Sequence, residues 1–368
     1  MNILHTETLK SWGGGQNKVL NEMKLMRELG HKVFLFANPN TQIAQRAENL
    51  GFEVIACEMS KKTYHQSIPK LFSIVKKYHI HCVITHDSTD SWIGAATRIL
   101  CRLNGIRTIF MRERHNLYPI KGFLSKALHT HLFDKILYIS EAVGEYLEQI
   151  GVPESKLFYL PSTIDTTSLK QTKSSFREEF GIAEDSLVIG TFTSLYPKKG
   201  VYDFAEAAKL VLKEYPNAVI VFGGGINEGI KNQIQQDFKQ GERIIFTGWR
   251  EDALNVIKAF DIYVFASHTE GLGTVLLEAM CSQVPIVVYD KPPMNHLIAH
   301  KQRGLCASYL DAQDLSCQIL HLITHKEESL MYARGALEYV CTRHDHTRLK
   351  GALENLLAQV AQRFQDSI

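Results

Sequence analysis

A chain of 368 residues is longer than one ordinary hydrophobic core requires, so its length predicts two domains. The composition, 45% hydrophobic and 22% charged, is that of a globular protein and excludes an intrinsically disordered chain. The formal net charge is only +2, and the mildly basic first half carries 21 basic and 15 acidic groups in residues 1–170. That excess suits an anionic ligand but is far below the charge density of a nucleic-acid-binding protein, so no nucleic-acid partner is expected.

Strand-like and helix-like segments alternate along the sequence, a pattern that predicts parallel sheets with helices on both faces. In the first half the predicted strands are NILHTE, KVFLFAN, FEVIACE, CVITHD, RTIFMRE and KILYIS. The amphipathic segment NKVLNEMKLMRELG follows the first of them and ends at Gly30, where a helix C-cap is expected. Residues 151–169 contain two prolines and several small polar residues, and they predict a linker.

The alternating pattern begins again after this linker. The predicted strands of the second half are SLVIGTFTS, AVIVFGGG, RIIFTGW, IYVFAS, IVVYD and LCASY. A polar, helix-like segment with no strand after it fills residues 340–368, and we expect it to pack back on the first domain. The sequence thus predicts an α/β protein with two doubly wound, Rossmann-like domains facing a cleft, at residues 1–165 and 170–338.

Signals for secretion or membrane insertion do not occur in the sequence. The N-terminal segment lacks the charged and apolar regions of a signal peptide, and no apolar run reaches the roughly 18 residues that span a bilayer. The seven cysteines include no C-x-x-C pair, which favours reduced thiols. We therefore expect a cytoplasmic protein.

The segment SHTEGLGTVLLEAM, residues 267–280, follows the predicted strand IYVFAS and holds two carboxylates eight residues apart. Ligands of open parallel sheets bind beyond the carboxyl ends of the strands, where Glu270 is expected. Gly271 and Gly273 permit a tight turn, and the helix predicted from Thr274 directs its unpaired N–H groups at a phosphate. Glu278 lies one turn further along the same helix face.

Carboxylates beside a phosphate site repel the ligand unless they accept hydrogen bonds from its hydroxyl groups. A nucleotide sugar has a sugar, a diphosphate and a ribose in a row, so it fits two acids on either side of a helix start. The alternative interpretation is structural: one glutamate caps the helix and the other lies on its exposed face. For two glutamates alone, both interpretations stay open.

Several motifs in order resemble the retaining glycosyltransferases of the GT-B fold, of family 4 type, which include lipopolysaccharide-assembling enzymes. The resemblance covers nearly the whole chain and is strongest at the double-glutamate motif EGLGTVLLEAM. The other matching segments are SWGGGQNKVLNEMKLMRELGHKVFLF, IFMRERHNLYPIKG, KILYISEAVGEYLEQIGVPESKLFYLPSTID, YPKKGVYDFAEAA and FTGW.

This resemblance implies a role for each matching residue. Glu270 would bind the donor sugar near its reacting carbon, Glu278 would bind the ribose, and Lys199 would neutralise the diphosphate and assist its departure. His115 would contact the transferred sugar, with His86 and Asp87 as weaker candidates of the same kind. Ser194 stands where many members carry an arginine. The implied catalytic residues are Glu270, His115 and Lys199, and the implied donor-binding residues are Gly14, Gly15, Ser194, Lys198, Lys199, Gly224, Trp249, Glu270, Gly271, Leu272, Gly273, Thr274, Val275 and Glu278.

The resemblance also implies the reaction: metal-independent transfer, with retained configuration, from a UDP- or GDP-sugar to a glycan or lipid-linked acceptor. No metal site and no cofactor are expected, and the sequence contains no D-x-D motif of the metal-dependent GT-A class. The second-half domain would bind the nucleotide sugar and the first the acceptor. SIPKLFSIVKKYHIH and YPIKGFLSKALHTHLF mix lysines with large apolar residues, so either contact with the inner membrane surface or ordinary core-facing helices would explain them.

Three other functions compete with transfer. A nicotinamide-dependent dehydrogenase needs G-x-G-x-x-G after a strand, and neither GGGQNK nor GGGINEG completes that spacing. A nucleotide-sugar epimerase of GT-B shape remains an alternative. A non-catalytic nucleotide-sugar-binding homologue is the third, because Ser194 removes one cation from the expected phosphate site.

Overall fold

The computed structural model describes residues 1–238 and 243–365. The chain forms two compact units. Unit 1 combines Met1–Ser162 with the segment that starts at Thr347, and unit 2 is Thr163–His346. The chain therefore leaves unit 1, builds the whole of unit 2, and then returns.

Unit 1 contains a seven-stranded parallel sheet. Its strands follow the order β3-β2-β1-β4-β5-β6-β7, so the direction of winding reverses between β1 and β4. Nearly every residue of β1, β2, β4 and β5 is buried, as expected for strands covered by helices on both faces. The strands are β1 Asn2–Glu7, β2 Lys32–Ala37, β3 Glu53–Ala56, β4 Cys82–Thr85, β5 Ile109–Arg114, β6 Lys135–Tyr138 and β7 Leu157–Tyr159.

The helices of unit 1 begin and end at recognisable signals. Thr41 and Ser140 cap α2 and α6 by accepting a hydrogen bond from a first-turn N–H group, and Gly30 follows α1 with a left-handed φ of 84°. Gly30 thus has the helix-ending role predicted for it. The helices are α1 Gly14–Glu28, α2 Gln42–Asn49, α3 Tyr64–Lys77, α4 Ser88–Leu103, α5 Phe123–Thr130 and α6 Glu141–Gln149.

Unit 2 contains a six-stranded parallel sheet in the order β10-β9-β8-β11-β12-β13, with its reversal between β8 and β11. Its strands are β8 Val188–Phe192, β9 Val219–Gly223, β10 Arg243–Gly248, β11 Ile262–Phe265, β12 Ile286–Tyr289 and β13 Leu305–Ala307. Its helices are α7 Thr166–Gln171, α8 Phe176–Glu179, α9 Val201–Glu214, α10 Glu228–Gln236, α11 Ala253–Ile257, α12 Thr274–Cys281, α13 Met294–Gln302, α14 Ala312–Thr324 and α15 Lys326–Arg343. The predicted α/β class with two doubly wound parallel sheets is confirmed.

The last helix, α16 His346–Gln365, supplies part of the unit 1 core. Its leucines at 349, 353, 356 and 357 are buried with strand residues such as Leu35 and Ile84. This spacing places one apolar stripe along a helix. Residues 366–368, the last three of the predicted C-terminal helix, lie outside the described residues.

Two local predictions need correction. The segment predicted as a linker, residues 151–169, contains β7, whose residues pair with β6 from Ile136↔Leu157 to Tyr138↔Tyr159. A strand of three residues between Pro153 and Pro161 is too short to give a periodic pattern. Helix α1 also begins earlier than predicted, so Gly14 and Gly15 belong to its first turn and Gly13 is its N-cap.

The two segments that mix lysines with apolar residues differ in the structure. In α3, Leu71, Ile74 and Val75 are buried, so this helix packs on the core and its lysines are solvated. In α5, Phe123 and Leu124 are exposed, at 83% and 69% of their surface. Among the described residues, no helix is both long and apolar enough to cross a membrane.

Candidate active site

The reversal point of the unit 2 sheet brings together two loops that the sequence predicted separately. Strands β8 and β11 are parallel neighbours, so their carboxyl ends lie at the same edge. The loop after β8 carries Lys198 and Lys199, and the loop after β11 carries Glu270 and leads to α12. This is where ligands of open α/β sheets bind.

Lys199 and Glu270 are directly paired. The Lys199 Nζ donates to Glu270 Oε1 at 2.5 Å, and the Ser267 hydroxyl donates to the same oxygen at 2.9 Å. The two side chains are 24% and 13% exposed, so solvent screens this pair less than it would screen a surface ion pair. Two residues separated by 71 positions therefore form an ion pair at the sheet edge.

Gly200 permits the close approach of the two loops. Its φ is +67°, and a Cβ built on it would lie 1.8 Å from the carbonyl oxygen of Ala266 in β11's loop. The His268 N–H also donates to the Lys198 carbonyl at 2.9 Å. Gly200 was not among the predicted site residues, because a glycine before a helix gives no sign of what lies against it.

Helix α12 begins immediately after Gly273, which has a left-handed φ of 84°. This conformation suits glycine and turns the chain so that the helix starts at Thr274. The first N–H groups of a helix have no partner within it, and with the helix dipole they favour an anion. The backbone from Gly271 to Val275 therefore has the local form predicted for a phosphate site.

Glu278 is partly buried in α12, and among the described residues no group hydrogen-bonds its carboxylate. Burial raises the pKa of Glu278 to about 7. Burial also raises the pKa of the Tyr263 hydroxyl, and Glu278 and then Glu270 raise it further. Both carboxylates therefore lie within electrostatic range of one buried hydroxyl, which donates to the Phe192 carbonyl at 3.2 Å.

The raised pKa of Glu278 predicts a pH dependence of stability. The unfolded carboxyl loses its proton near 4.5 and the folded one near 7, so the folded state binds more protons between these values and stability falls as pH rises through that window. Glu278→Gln has no such proton to lose. Between pH 4.5 and pH 8 we expect the variant to gain about 1–2 kcal/mol of unfolding free energy relative to the parent, after allowance for partial exposure.

Urea unfolding of the parent and Glu278→Gln at several pH values measures this difference. Glu228→Gln, a change at an exposed glutamate paired with Lys231, is the matched control and should follow the parent at every pH. A constant difference between Glu278→Gln and the parent would contradict the prediction.

The remaining predicted donor-binding residues of unit 2 lie on the loops after β8, β9 and β10. Gly224 has a φ of +106°, and a Cβ there would lie 2.4 Å from the Thr193 carbonyl oxygen, so packing of two loops already requires glycine. Ser194 lies beside this contact, and both Ser194 and Lys198 are exposed. Trp249 follows β10 and is 60% exposed.

The predicted residues of unit 1 lie around the ends of β4 and β5. His115 follows β5 directly, and its Nε2 is 3.0 Å from Nδ1 of His86, which follows β4. Burial lowers the pKa of His115 to about 3, so the ring is neutral. The structure thus joins the stronger and the weaker histidine candidates in one hydrogen bond. Gly15 has no protein atom near the position of a Cβ, so internal packing does not require glycine there.

A buried polar network behind His115 was not predicted. Lys18 donates to both Glu22 and Glu113. Burial alone would raise the pKa of Glu113, but Lys18 and the two histidines outweigh burial and hold it well below its usual value. Burial and Glu113 raise the pKa of Glu22 to about 8. His5 adds a further contact, because its Nδ1 is 2.9 Å from Nε2 of His86.

Two family models match the chain, one in each half. The model described as Glycosyltransferase Family 4 matches residues 12–168, and the model described as Glycosyl transferases group 1 matches residues 172–338. Together these two models cover most of the chain, which therefore belongs to the glycosyltransferases of these two families. The resemblance to family 4 glycosyltransferases stated from the sequence motifs is thus confirmed, and the retained configuration stays a prediction.

Two curated relatives of this glycosyltransferase match most of its length. It is 24% identical over 353 residues to the UDP-Gal:alpha-D-GlcNAc-diphosphoundecaprenol alpha-1,3-galactosyltransferase of Escherichia coli, covering 89% of each chain. It is also 24% identical to the N,N'-diacetylbacillosaminyl-diphospho-undecaprenol alpha-1,3-N-acetylgalactosaminyltransferase of Campylobacter jejuni, covering 86% of this chain and 88% of the relative.

Solved structures with the same fold cover nearly the whole glycosyltransferase. A glycosyltransferase of Rickettsia africae superposes with a TM-score of 0.88 at 15% identity, covering 98% of both chains. HepE of Anabaena, solved in complex with UDP-glucose, superposes with a TM-score of 0.83 at 18% identity, covering 98% of this chain and 100% of HepE. At these identities the likeness establishes the fold alone.

Proposed function

We propose that this glycosyltransferase transfers a sugar, with retained anomeric configuration, from a UDP- or GDP-sugar to a glycan or lipid-linked acceptor in bacterial lipopolysaccharide or other surface-polysaccharide biosynthesis. The Lys199–Glu270 pair beside the start of α12 is the observation that carries the proposal. The names of the two undecaprenol-linked relatives support a lipid-linked acceptor, and the UDP-glucose complex of HepE supports a nucleotide-sugar donor.

In this proposal, different residues of unit 2 bind the diphosphate, the sugar and the ribose of the donor. The N–H groups at the start of α12 and the ammonium groups of Lys198 and Lys199 hold the diphosphate. Glu270 accepts hydrogen bonds from hydroxyls of the donor sugar, and Glu278 accepts them from the ribose. Two carboxylates tolerate a nearby diphosphate because hydroxyl donors lie between them and the phosphates.

The chemical step breaks the bond between the anomeric carbon and the diphosphate oxygen and forms a bond from that carbon to an acceptor hydroxyl oxygen. The acceptor proton passes to the leaving phosphate, so no protein nucleophile is needed. Negative charge grows on the diphosphate as the bond breaks, and cations held in place stabilise that charge. We propose that the lysines carry out this role without a divalent cation on the diphosphate, and that His115 contacts the transferred sugar.

A donor panel tests the proposal. The full chain is incubated with UDP- and GDP-sugars, with and without a polyprenyl-diphosphate-linked sugar acceptor in mixed micelles, in buffer containing chelator. We expect nucleoside diphosphate release to need one donor and the acceptor, and the product to retain configuration by NMR.

Glu278→Ala should weaken nucleotide affinity by about 10-fold, from lost hydrogen bonds to the ribose.

Two other outcomes of the panel would exclude transfer, and a third would change only its mechanism. A donor sugar that changes configuration with no acceptor indicates an epimerase. Donor binding without turnover for every donor and acceptor pair indicates a non-catalytic homologue. Inversion, or an absolute requirement for a divalent cation, would overturn the mechanism while leaving glycosyl transfer in place.

We also propose that α5 contacts an anionic membrane surface. Its first residues, Phe123 and Leu124, are exposed, and the exposed Lys121 and Lys126 lie beside them. Apolar side chains flanked by lysines bind the interface of an anionic bilayer. The chain should sediment with vesicles containing anionic lipid, and Phe123→Asp with Leu124→Asp should abolish this. Equal sedimentation with neutral vesicles, or of the variant, would contradict the contact.

A further inference from the structure

Three side chains in unit 1 direct potential ligand atoms at one point. They are Nδ1 of His86, Oε2 of Glu113 and Nε2 of His115, and in the part of the chain that the structure describes no other three His, Cys, Asp or Glu side chains come within 4.8 Å of one another in this way. The distances are 3.0 Å between the two nitrogens, 3.2 Å from His86 to Glu113, and 3.7 Å from His115 to Glu113.

The size of this triangle matches one face of a zinc coordination sphere. Zinc bound by histidine and carboxylate has bonds of about 2.0–2.1 Å, and a tetrahedron of that size has ligand atoms about 3.3–3.4 Å apart. The three observed distances lie on either side of this value. Two imidazoles and one carboxylate also form a ligand set that zinc uses, with a fourth position left for water or another oxygen.

Hydrogen bonds outside the triangle orient two of its three ligands, His86 and Glu113. His86 Nε2 is 2.9 Å from His5 Nδ1, and His5 Nε2 is 3.4 Å from the Met26 sulfur. If each Nε2 carries a proton and donates outward, Nδ1 of His86 keeps its lone pair for the centre of the triangle. Lys18 bonds the other oxygen of Glu113, Oε1. Histidine ligands of metal sites are commonly oriented by such partners.

The groups inside the triangle are poorly satisfied without an ion. Glu113 is fully buried, yet its Oε2 accepts no hydrogen bond of acceptable geometry from any described residue. When one proton lies between His86 Nδ1 and His115 Nε2, Glu113 Oε2 keeps only its 3.2 Å contact with His86 Nδ1, which does not have hydrogen-bond geometry. A buried acceptor without a partner costs free energy, and a cation at the centre removes that cost. His115 is 14% exposed and gives an ion access from solvent.

We propose that His86, Glu113 and His115 bind a zinc ion in unit 1. This site differs from the proposed diphosphate site, whose lysines and helix start belong to unit 2. A bound ion would occupy Nε2 of His115 and so compete with the contact between His115 and the transferred sugar. That consequence rests on the proposed function, whereas zinc binding does not depend on it.

Metal binding by the purified full chain tests the proposal. Metal is removed with chelator, zinc is added in excess, and unbound zinc is dialysed away. We then expect one zinc per chain by elemental analysis, and competition with a chromophoric chelator gives its affinity. His115→Ala should weaken zinc binding by more than about 100-fold, which exceeds the 10- to 100-fold loss typical of residues that only orient a ligand. His115 is the most exposed of the three, so its removal is the least disruptive to folding.

The exposed histidine pair of unit 2 provides the matched control. His321 and His325 stack at 4.0 Å beside Glu328 and are the natural place for adventitious zinc. The double variant His321→Ala and His325→Ala should keep one zinc per chain with affinity within about twofold of the parent, since two exposed imidazoles bind far more weakly than a buried His₂Glu set.

A second measurement uses the unchanged protein and needs no variant to fold. Cobalt added to the metal-free chain should give the visible absorption of four-coordinate cobalt, and zinc-edge X-ray absorption should show two imidazoles at about 2.0–2.1 Å. The proposal is overturned if the parent binds no zinc, if the His321 and His325 double variant loses the zinc, or if His115→Ala keeps it. None of these measurements depends on transferase activity. A protein that binds no zinc would therefore overturn the zinc site without affecting the proposal of glycosyl transfer.

Discussion

Glu270→Gln should lower the rate of sugar transfer by about 10²–10³-fold while nucleotide affinity stays within about threefold of the parent. The substitution keeps the shape of the side chain but removes the charge that pairs with Lys199 at 2.5 Å. An amide also cannot accept hydrogen bonds from donor hydroxyls as strongly as a carboxylate does. In the proposed binding mode the nucleotide keeps its α12 and Glu278 contacts, so the loss should appear in kcat.

Initial rates with the donor selected by the panel, together with titration of the free nucleotide, separate these two quantities. Glu206→Gln is the control, because Glu206 forms a comparable 2.6 Å pair with Lys209 outside the site. Its rate should equal the parent rate. Unchanged transfer by Glu270→Gln, or an equal loss in nucleotide affinity, would remove Glu270 from the reacting end of the donor.

Gly200→Ala should destabilise unit 2 by more than about 3 kcal/mol. Alanine at a φ of +67° costs about 1–2 kcal/mol by itself. The new Cβ would also lie 1.8 Å from the Ala266 carbonyl oxygen, so one of the two loops has to move. Because Lys199 precedes Gly200 and Glu270 follows Ala266, that movement should separate the ion pair as well.

Gly181→Ala measures the free-energy cost of alanine at a positive φ without the steric clash that Gly200→Ala adds. Gly181 also lies in unit 2 and has a φ of +56°, but a Cβ there would meet no atom of the described residues within 4 Å. We expect this control to lose about 1 kcal/mol and to keep full activity. Thermal and urea unfolding of both variants measure the difference. Equal losses in the two would show that the close approach at Gly200 is not a constraint.

The sheet architecture was largely predictable from the sequence, because buried parallel strands are continuous apolar runs separated by amphipathic helices. The loop after β11 was predictable for another reason. A strand, two glycines and a helix start lie within fourteen residues, so turn and helix-start preferences of neighbouring residues were sufficient to predict its form. The strand β7 was not, because three residues carry no period. The roles of the individual site residues stay predictions.

The charged network of unit 1 could not be predicted for a physical reason. Lys18 and Glu22 are spaced four residues apart on α1, which is the usual pattern of a solvated ion pair on an exposed helix face. Both are nevertheless buried, and Lys18 donates to Glu113 of β5, ninety-five positions further along the chain. His5 similarly looks like one polar residue in an apolar strand. Local sequence does not encode which polar residues meet, so such clusters appear only when the sheet is assembled.

The return of α16 to unit 1 has a consequence for biosynthesis. Leu349, Leu353 and Leu356 fill the unit 1 core, yet the ribosome makes them after all of unit 2. During translation, residues 1–162 therefore leave the ribosome before α16 is synthesised. Part of their apolar core stays exposed to solvent while unit 2 is being synthesised. Unit 2, continuous in sequence, can finish first. We expect the nascent first segment to depend on chaperones, and a fragment that stops before residue 347 to aggregate unless α16 is supplied separately.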